Sequence, residues 1–162
     1  MALRALHDSN IMHRDVKLDN LMLDRHGYLK VIDFGLARIL RQNEKAFTVC
    51  GTPAYMAPEI HLGQPYSYAA EWWTVGTLIY QMIFGVAPFS NRNVVVQKNM
   101  IIEGELEFPS TSQFQYSAEL QDIVTKMLQK SPEDRLGSVA GASEILAHPW
   151  FADLDLDMIL HK

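Results

Sequence analysis

Cysteine is almost missing from this chain: Cys50 is the single one in 162 residues. An intrachain disulfide framework is therefore excluded, and a reducing, cytoplasmic (intracellular) setting is expected. A basic balance is missing too, since 14 Lys and Arg against 19 Asp and Glu give a formal charge of -5. Nucleic acid needs a basic face to neutralise its phosphates, so that partner class is not expected. Long hydrophobic runs are also lacking. The longest, residues 74–89, is interrupted by Gln81, two glycines and a proline, whereas a membrane span needs ~20 mostly apolar residues. No secretory signal is expected, because Met1-Ala2-Leu3-Arg4 leads into an amphipathic segment. The six histidines have no zinc-like spacing and no thiolate partners. Repeats, low-complexity tracts and Ser/Gly-rich linkers do not occur.

The composition that remains is 48% hydrophobic and 20% charged, which fits one globular domain or one large subdomain. Residues 2–8 read as the tail of a helix already under way at Met1, because no capping residue precedes it. Residues 21–23 and 28–32 read as two short strands joined by Asp24-Arg25-His26-Gly27, a hairpin turn in which Gly27 supplies a positive φ. Residues 38–52 have poor periodicity and many polar groups, and are expected to be a long loop. Pro58 permits a helix to open near Glu59. Residues 69–84 are apolar almost all round, as a central buried helix would be. Further helices are expected at 93–102, 117–128 and 142–147, with Ser117 starting the second. The fold class is mainly α with a small β-hairpin.

The chemistry is concentrated in residues 11–35, IMHRDVKLDNLMLDRHGYLKVIDFG. Phosphoryl transfer spreads negative charge over phosphate oxygens, so its catalysis is mostly positioning and electrostatic stabilisation. It needs a hard cation held by oxygen ligands, a carboxylate to take or orient the proton of the attacking hydroxyl, and a cation near the moving phosphate. Asp15, Lys17, Asn20 and Asp33 are side chains of the right kinds.

Their arrangement narrows the reading. His13-Arg14-Asp15 with Asn20 five residues beyond Asp15, then Asp33-Phe34-Gly35, then Ala57-Pro58-Glu59, resemble the catalytic loop, the metal triplet and the activation-segment end of eukaryotic protein kinases. Lys17 resembles the Ser/Thr rather than the Tyr kinases. Phe47-Thr48-Val49-Cys50-Gly51-Thr52-Pro53, Glu71-Trp72-Trp73, Arg135-Leu136-Gly137 and His148-Pro149-Trp150-Phe151 resemble the AGC group. The resemblance implies the C-terminal, helical lobe of a kinase-like fold over residues 1–162. It implies ATP and Mg²⁺ as cofactors and protein substrates as partners. By this resemblance Asp15 is the catalytic base and Lys17 contacts the γ-phosphate. Asn20 and Asp33 hold Mg²⁺, and Thr52 bonds Asp15 and Lys17. Thr48 is an activating phosphosite for an upstream kinase, with a phosphate of about -1.5 to -2 charges paired to Arg14 and Arg38. Glu59 and Arg135 form a buried structural ion pair.

Some positions depart from the family. Leu18-Asp19 stands in place of Pro-Glu, Gln81 and Ala54 in place of Glu, and Glu71 in place of the Asp that braces the catalytic-loop backbone. Asp19 and Gln81 fall where substrate arginines are read. No Gly-x-Gly pair occurs, and no strand supplies a phosphate-pairing lysine. The 162 residues are thus expected to correspond to the large lobe without the small one, with apolar surface exposed where the small lobe belongs. A reading from another class is a non-catalytic kinase lobe that serves as a protein-binding module. Trp72-Trp73 and Met82, Met100 and Met127 are read as packing. Glu103, Glu105 and Glu107 are read as a solvated, strand-like edge, and Cys50 as an ordinary thiol.

Overall fold

The apolar run at residues 69–84 folds as the axis of the molecule. A computed structural model describes residues 1–41, 43–110, 114–155 and 158–159. In it, helix α3 spans Ala69–Phe84 and buries Trp72, Trp73, Leu78, Ile79, Tyr80 and Phe84. A helix buried on several sides has no need of an amphipathic stripe, which explains its all-round apolarity. Gly85, at φ 79°, closes it with an N–H donated to Gln81 O at 2.8 Å.

Helix α5 (Ala118–Met127) packs on α3. Their contact depends on Gly76: a Cβ there would lie 2.9 Å from Met127 Cβ. Ser117 caps α5 by accepting the Leu120 N–H at 3.2 Å, as its sequence position implies. Helix α4 (Val94–Glu103) is capped by Asn93, which accepts from Val95 N and Val96 N. It contributes only Ile101 to the buried set. Three shorter helices, α1 (Ala2–Asp8), α2 (Pro58–His61) and α6 (Ala142–Leu146), complete the helical body. Among the described residues no helix is long and apolar enough to cross a membrane.

The expected hairpin is present. Strands β2 (Leu21–Leu23) and β3 (Leu29–Val31) pair antiparallel, Leu21 opposite Val31 and Leu23 opposite Leu29. Asp24 organises the turn by accepting the N–H groups of His26 and Tyr28, and Gly27 takes φ 81°. A second sheet was not legible in the sequence. Strand β1 (Ile11–Met12) pairs with β4 (Arg38–Ile39), so residues 38–39 are a strand rather than the start of a loop. Two-residue strands are too short to display alternation; the pairing is held by the buried Leu40, whose N–H donates to Asn10 O at 2.8 Å. Beyond it, Ala46 bridges to Tyr66, and Pro53–Tyr55 forms a 3₁₀ turn.

The two ladders matter for the site because they pin the ends of two loops. Residues 13–20 run from β1 to β2, and residues 32–37 from β3 to β4. The two ladders and the 32–37 loop also leave apolar side chains in water: Leu23 is 69% exposed and Ile39 67%, with Met22, Leu29 and Phe34 about half exposed.

Candidate active site

His13 sets the geometry of the first loop. It is fully buried, with Nε2 3.1 Å from Ile32 O and Nδ1 3.3 Å from the Asp15 N–H. A carbonyl only accepts, so Nε2 carries the proton and Nδ1 is the acceptor, which makes the imidazole neutral. One ring therefore ties the Asp15 loop to the Asp33 loop, and Phe34 packs edge-on against it at 5.0 Å.

Arg14 and Asp33 both hold left-handed backbone, at φ 69° and 61°. Non-glycine residues take that region at a cost, so surrounding contacts must hold them there. At Arg14 the holding contact is Glu71 of α3, whose Oε1 accepts the Arg14 N–H at 2.7 Å. The longer Glu therefore reaches the loop backbone where the family pattern has Asp. Its other oxygen meets His7 Nε2 of α1 at 2.6 Å, and Glu71 is only 2% exposed. At Asp33 the carboxylate turns back to accept the Gly35 N–H at 3.1 Å. A Cβ on residue 35 would sit 3.0 Å from that same oxygen.

Asp15, Lys17, Asn20 and Thr52 converge. Asp15 Oδ1 accepts from the Thr52 hydroxyl at 2.7 Å and the Thr52 N–H at 3.0 Å. Asp15 Oδ2 lies 2.9 Å from Lys17 Nζ and accepts from Asn20 Nδ2 at 3.2 Å. Lys17 Nζ also donates to Thr52 Oγ1 at 2.9 Å, and Asn20 Nδ2 to Asp15 O at 2.8 Å. Burial pushes the Asp15 carboxyl up, but the Thr52 hydroxyl, Lys17 and the Thr52 N–H together hold it below its ordinary range. Lys17 is raised, chiefly by its hydrogen bond to Asp15, against burial and with help from the charges of Asp15, Asp19 and Asp33. Four donors on two oxygens fill the carboxylate's acceptor capacity.

The donor set suits a hard cation. Asp33 offers an exposed carboxylate. Asn20 spends only its Nδ2 on the bonds above, which leaves the Oδ1 side of the amide for another partner. A carboxylate and an amide oxygen are what Mg²⁺ accepts alongside phosphate oxygens and water. No cluster of three or more His, Cys, Asp or Glu side chains suited to a metal occurs among the described residues.

The other residues singled out from the sequence fall into two groups. Glu59 and Arg135 form a bidentate pair at 2.7 and 3.0 Å, 3% and 1% exposed. Arg135 further donates to Ala69 O, Gln129 O and Lys130 O, and its guanidinium lies 5.3 Å from the Trp73 ring. Thr48 is exposed, and its carbonyl accepts from Tyr66 OH at 2.7 Å. Burial raises the Tyr66 phenol, and a hydrogen bond from Arg14 pulls the other way. Arg14 Nε donates to Leu36 O at 2.6 Å, while its Nη1 is buried with no hydrogen-bond partner. Arg38 is paired here with Glu44 at 2.8 Å. Gln81 accepts from Tyr55 OH. Sequence reasoning missed His7 as a partner of Glu71; the two lie 64 positions apart, and no local pattern signals the pair.

The protein kinase domain family model matches residues 1–151. Over 163 aligned residues the chain is 40% identical to the cAMP-dependent protein kinase catalytic subunit of Schizosaccharomyces pombe, covering 100% of this chain and 31% of that protein. It is 41% identical over 159 residues to the eye isozyme of protein kinase C from Drosophila melanogaster, covering 97% of this chain and 22% of that one. Against the serine/threonine-protein kinase YPK2/YKR2 of Saccharomyces cerevisiae the identity is 39%, over 99% of this chain and 23% of the relative. The chain thus spans about a third or less of the length of these relatives.

Proposed function

The chain belongs to the protein kinase domain family, and from that premise we propose that it carries the catalytic-loop lobe of an ATP-dependent serine/threonine kinase of the AGC type. The observation that supports this best is the junction of Asp15, Lys17, Asn20 and Thr52 within hydrogen-bond reach of one another. In this reading the substrate hydroxyl oxygen bonds to the γ-phosphorus of ATP. The bond to the ADP oxygen breaks, and the hydroxyl proton passes to Asp15. Mg²⁺, which Asn20 and Asp33 would hold, would supply positive charge to the phosphate oxygens.

The chain's own residues must then trade partners. Asp15 has no acceptor position to spare while Lys17 sits on Oδ2. A phosphate anion draws Lys17 off that oxygen, and the vacated position takes the substrate hydroxyl. A carboxyl held below its ordinary range is a weak base, so Asp15 chiefly orients the hydroxyl and receives its proton late. Thr52, fixed on Oδ1 by two hydrogen bonds, keeps the carboxylate from rotating. Thr48, phosphorylated by an upstream kinase, would pair with the Arg14 guanidinium and with Arg38, which would leave Glu44 to join it.

Calorimetry of Mg²⁺-ATP with the 162-residue chain, at millimolar nucleotide, tests the reading. Saturable, metal-dependent binding that Asp33→Ala removes and Asp15→Ala retains supports the division of roles. Equal loss in both variants overturns that division. No binding by a folded chain would favour the protein-binding reading of this lobe.

A further inference from the structure

Helix α4 packs on α2, with Met100 partly buried against the core, and buries few side chains of its own. Ile101 is its one buried side chain, and Val94 and Val95 near its N-terminus are 68% and 67% exposed. Gln97 adds a hydrogen bond to Phe89 O at 3.1 Å. At the other end the last carbonyls of a helix carry the negative end of its dipole, and of these Met100 O already accepts the Gly104 N–H at 2.9 Å. Here they meet Lys130, from the segment after α5. Its Nζ donates to Ile101 O at 2.7 Å and to Met100 O at 3.1 Å. The same ammonium lies 3.8 Å from the centroid of the Phe89 ring and 5.2 Å from that of Trp73.

The cation therefore sits between a helix C-terminus and two ring faces, all of which favour positive charge. Among the described residues no carboxylate forms an ion pair with it. Burial pushes the Lys130 amine down to about 8, so near neutral pH most of the group is still charged. The backbone beside it is fixed as well. Lys130 O accepts from Arg135 Nη2 at 3.3 Å, and Arg135 holds Glu59 of α2.

We propose that Lys130 is a latch: its ammonium pins the C-terminal turn of α4 and so sets the position of that helix beside the 49–56 segment. The two face each other across a cavity of about 280 Å³ lined by Val49, Met56, His61, Val94, Gln97 and Lys98. Thr52 lies inside that segment, so the latch acts on the wall of the cleft next to the proposed transfer site. Lys130 is a positioning residue, more remote than any group in that site. Only its consequence for a substrate rests on the kinase reading; the latch does not.

Hydrogen exchange of the full chain tests it directly, with Lys130→Met removing the charge and Lys130→Arg retaining it. A hydrogen bond from a charged donor is worth enough to change local opening by about ten- to hundredfold. The expected result is that increase for Lys130→Met, confined to α4 and residues 49–56, with α3 and α5 unchanged and Lys130→Arg close to wild type. Lys130→Gln, which keeps an uncharged amide donor, gives the same readout should the Met variant not fold. Unchanged exchange in α4 overturns the proposal. So does a uniform rise across all helices, or loss of the fold in both neutral variants, because Lys130 would then be a general core element. None of these readouts depends on nucleotide or on phosphate transfer.

Discussion

Two ion pairs in this molecule have nearly the same contact distance and different surroundings. Glu59–Arg135 closes at 2.7 Å with side chains 3% and 0% exposed. Asp15–Lys17 closes at 2.9 Å with 13% and 22% exposed. In the first, each guanidinium nitrogen has an acceptor, and Trp73 lies beside the charge. Nothing can change partner without leaving a buried charge unpaired. In the second, Lys17 holds two acceptors at the edge of water and is able to leave. Burial sets the Glu59–Arg135 pair apart, and partial exposure with exchangeable donors suits Asp15–Lys17 to the proposed transfer site.

The largest effect comes from breaking the first pair. Arg135→Met leaves Glu59 buried and alone, and is expected to cost about 3–5 kcal/mol of stability, read as a lower denaturant midpoint. Removing the brace is smaller. Glu71→Ala strips the acceptor from the Arg14 N–H and the partner from His7, at about 1–3 kcal/mol. Exchange of the Arg14 amide should speed up more than that of α3. The contrast is sharpest at Asp15→Asn, for which the expected stability change is within about 1 kcal/mol. Metal-dependent nucleotide binding should persist in this variant, and any phosphotransfer should fall by orders of magnitude. A large stability loss there would erase the distinction between the two pairs.

The smallest effect is one of pH. Asp15 is depressed in the fold, so its contribution is present above its ordinary value near 3.8 and is lost as pH falls through the lowered value. Lys17 is raised, so its contribution is present below 10.5 and is lost as pH rises through the raised value. The stability difference between wild type and Asp15→Asn should therefore be flat near neutrality and shrink in acid. A difference that grows on acidification contradicts the assigned directions.

Much of this was legible beforehand, for reasons that differ by residue. Helix α3 announced itself because sixteen residues offer no polar face. The Ser117 start and the Asp24 turn follow from side chains whose oxygens reach nearby N–H groups, which is local information. The grouping of Asp15, Lys17, Asn20 and Thr52 came from motif resemblance, since nothing in spacing alone brings Thr52 to a residue 37 positions earlier. The β1–β4 ladder escaped because two residues carry no period. His7 with Glu71, and Lys130 with the end of α4, escaped because such partners are chosen by packing between helices.

The bare hairpin has a consequence for handling the protein. Met22, Leu23 and Leu29 leave exposed apolar side chains on a two-stranded ladder with open edges. A net charge of -5 keeps copies apart at neutral pH, but that repulsion vanishes near the isoelectric point of about 5.6. Light scattering should therefore rise with protein concentration in mildly acidic buffer, and replacing Leu23 with Lys should delay the onset.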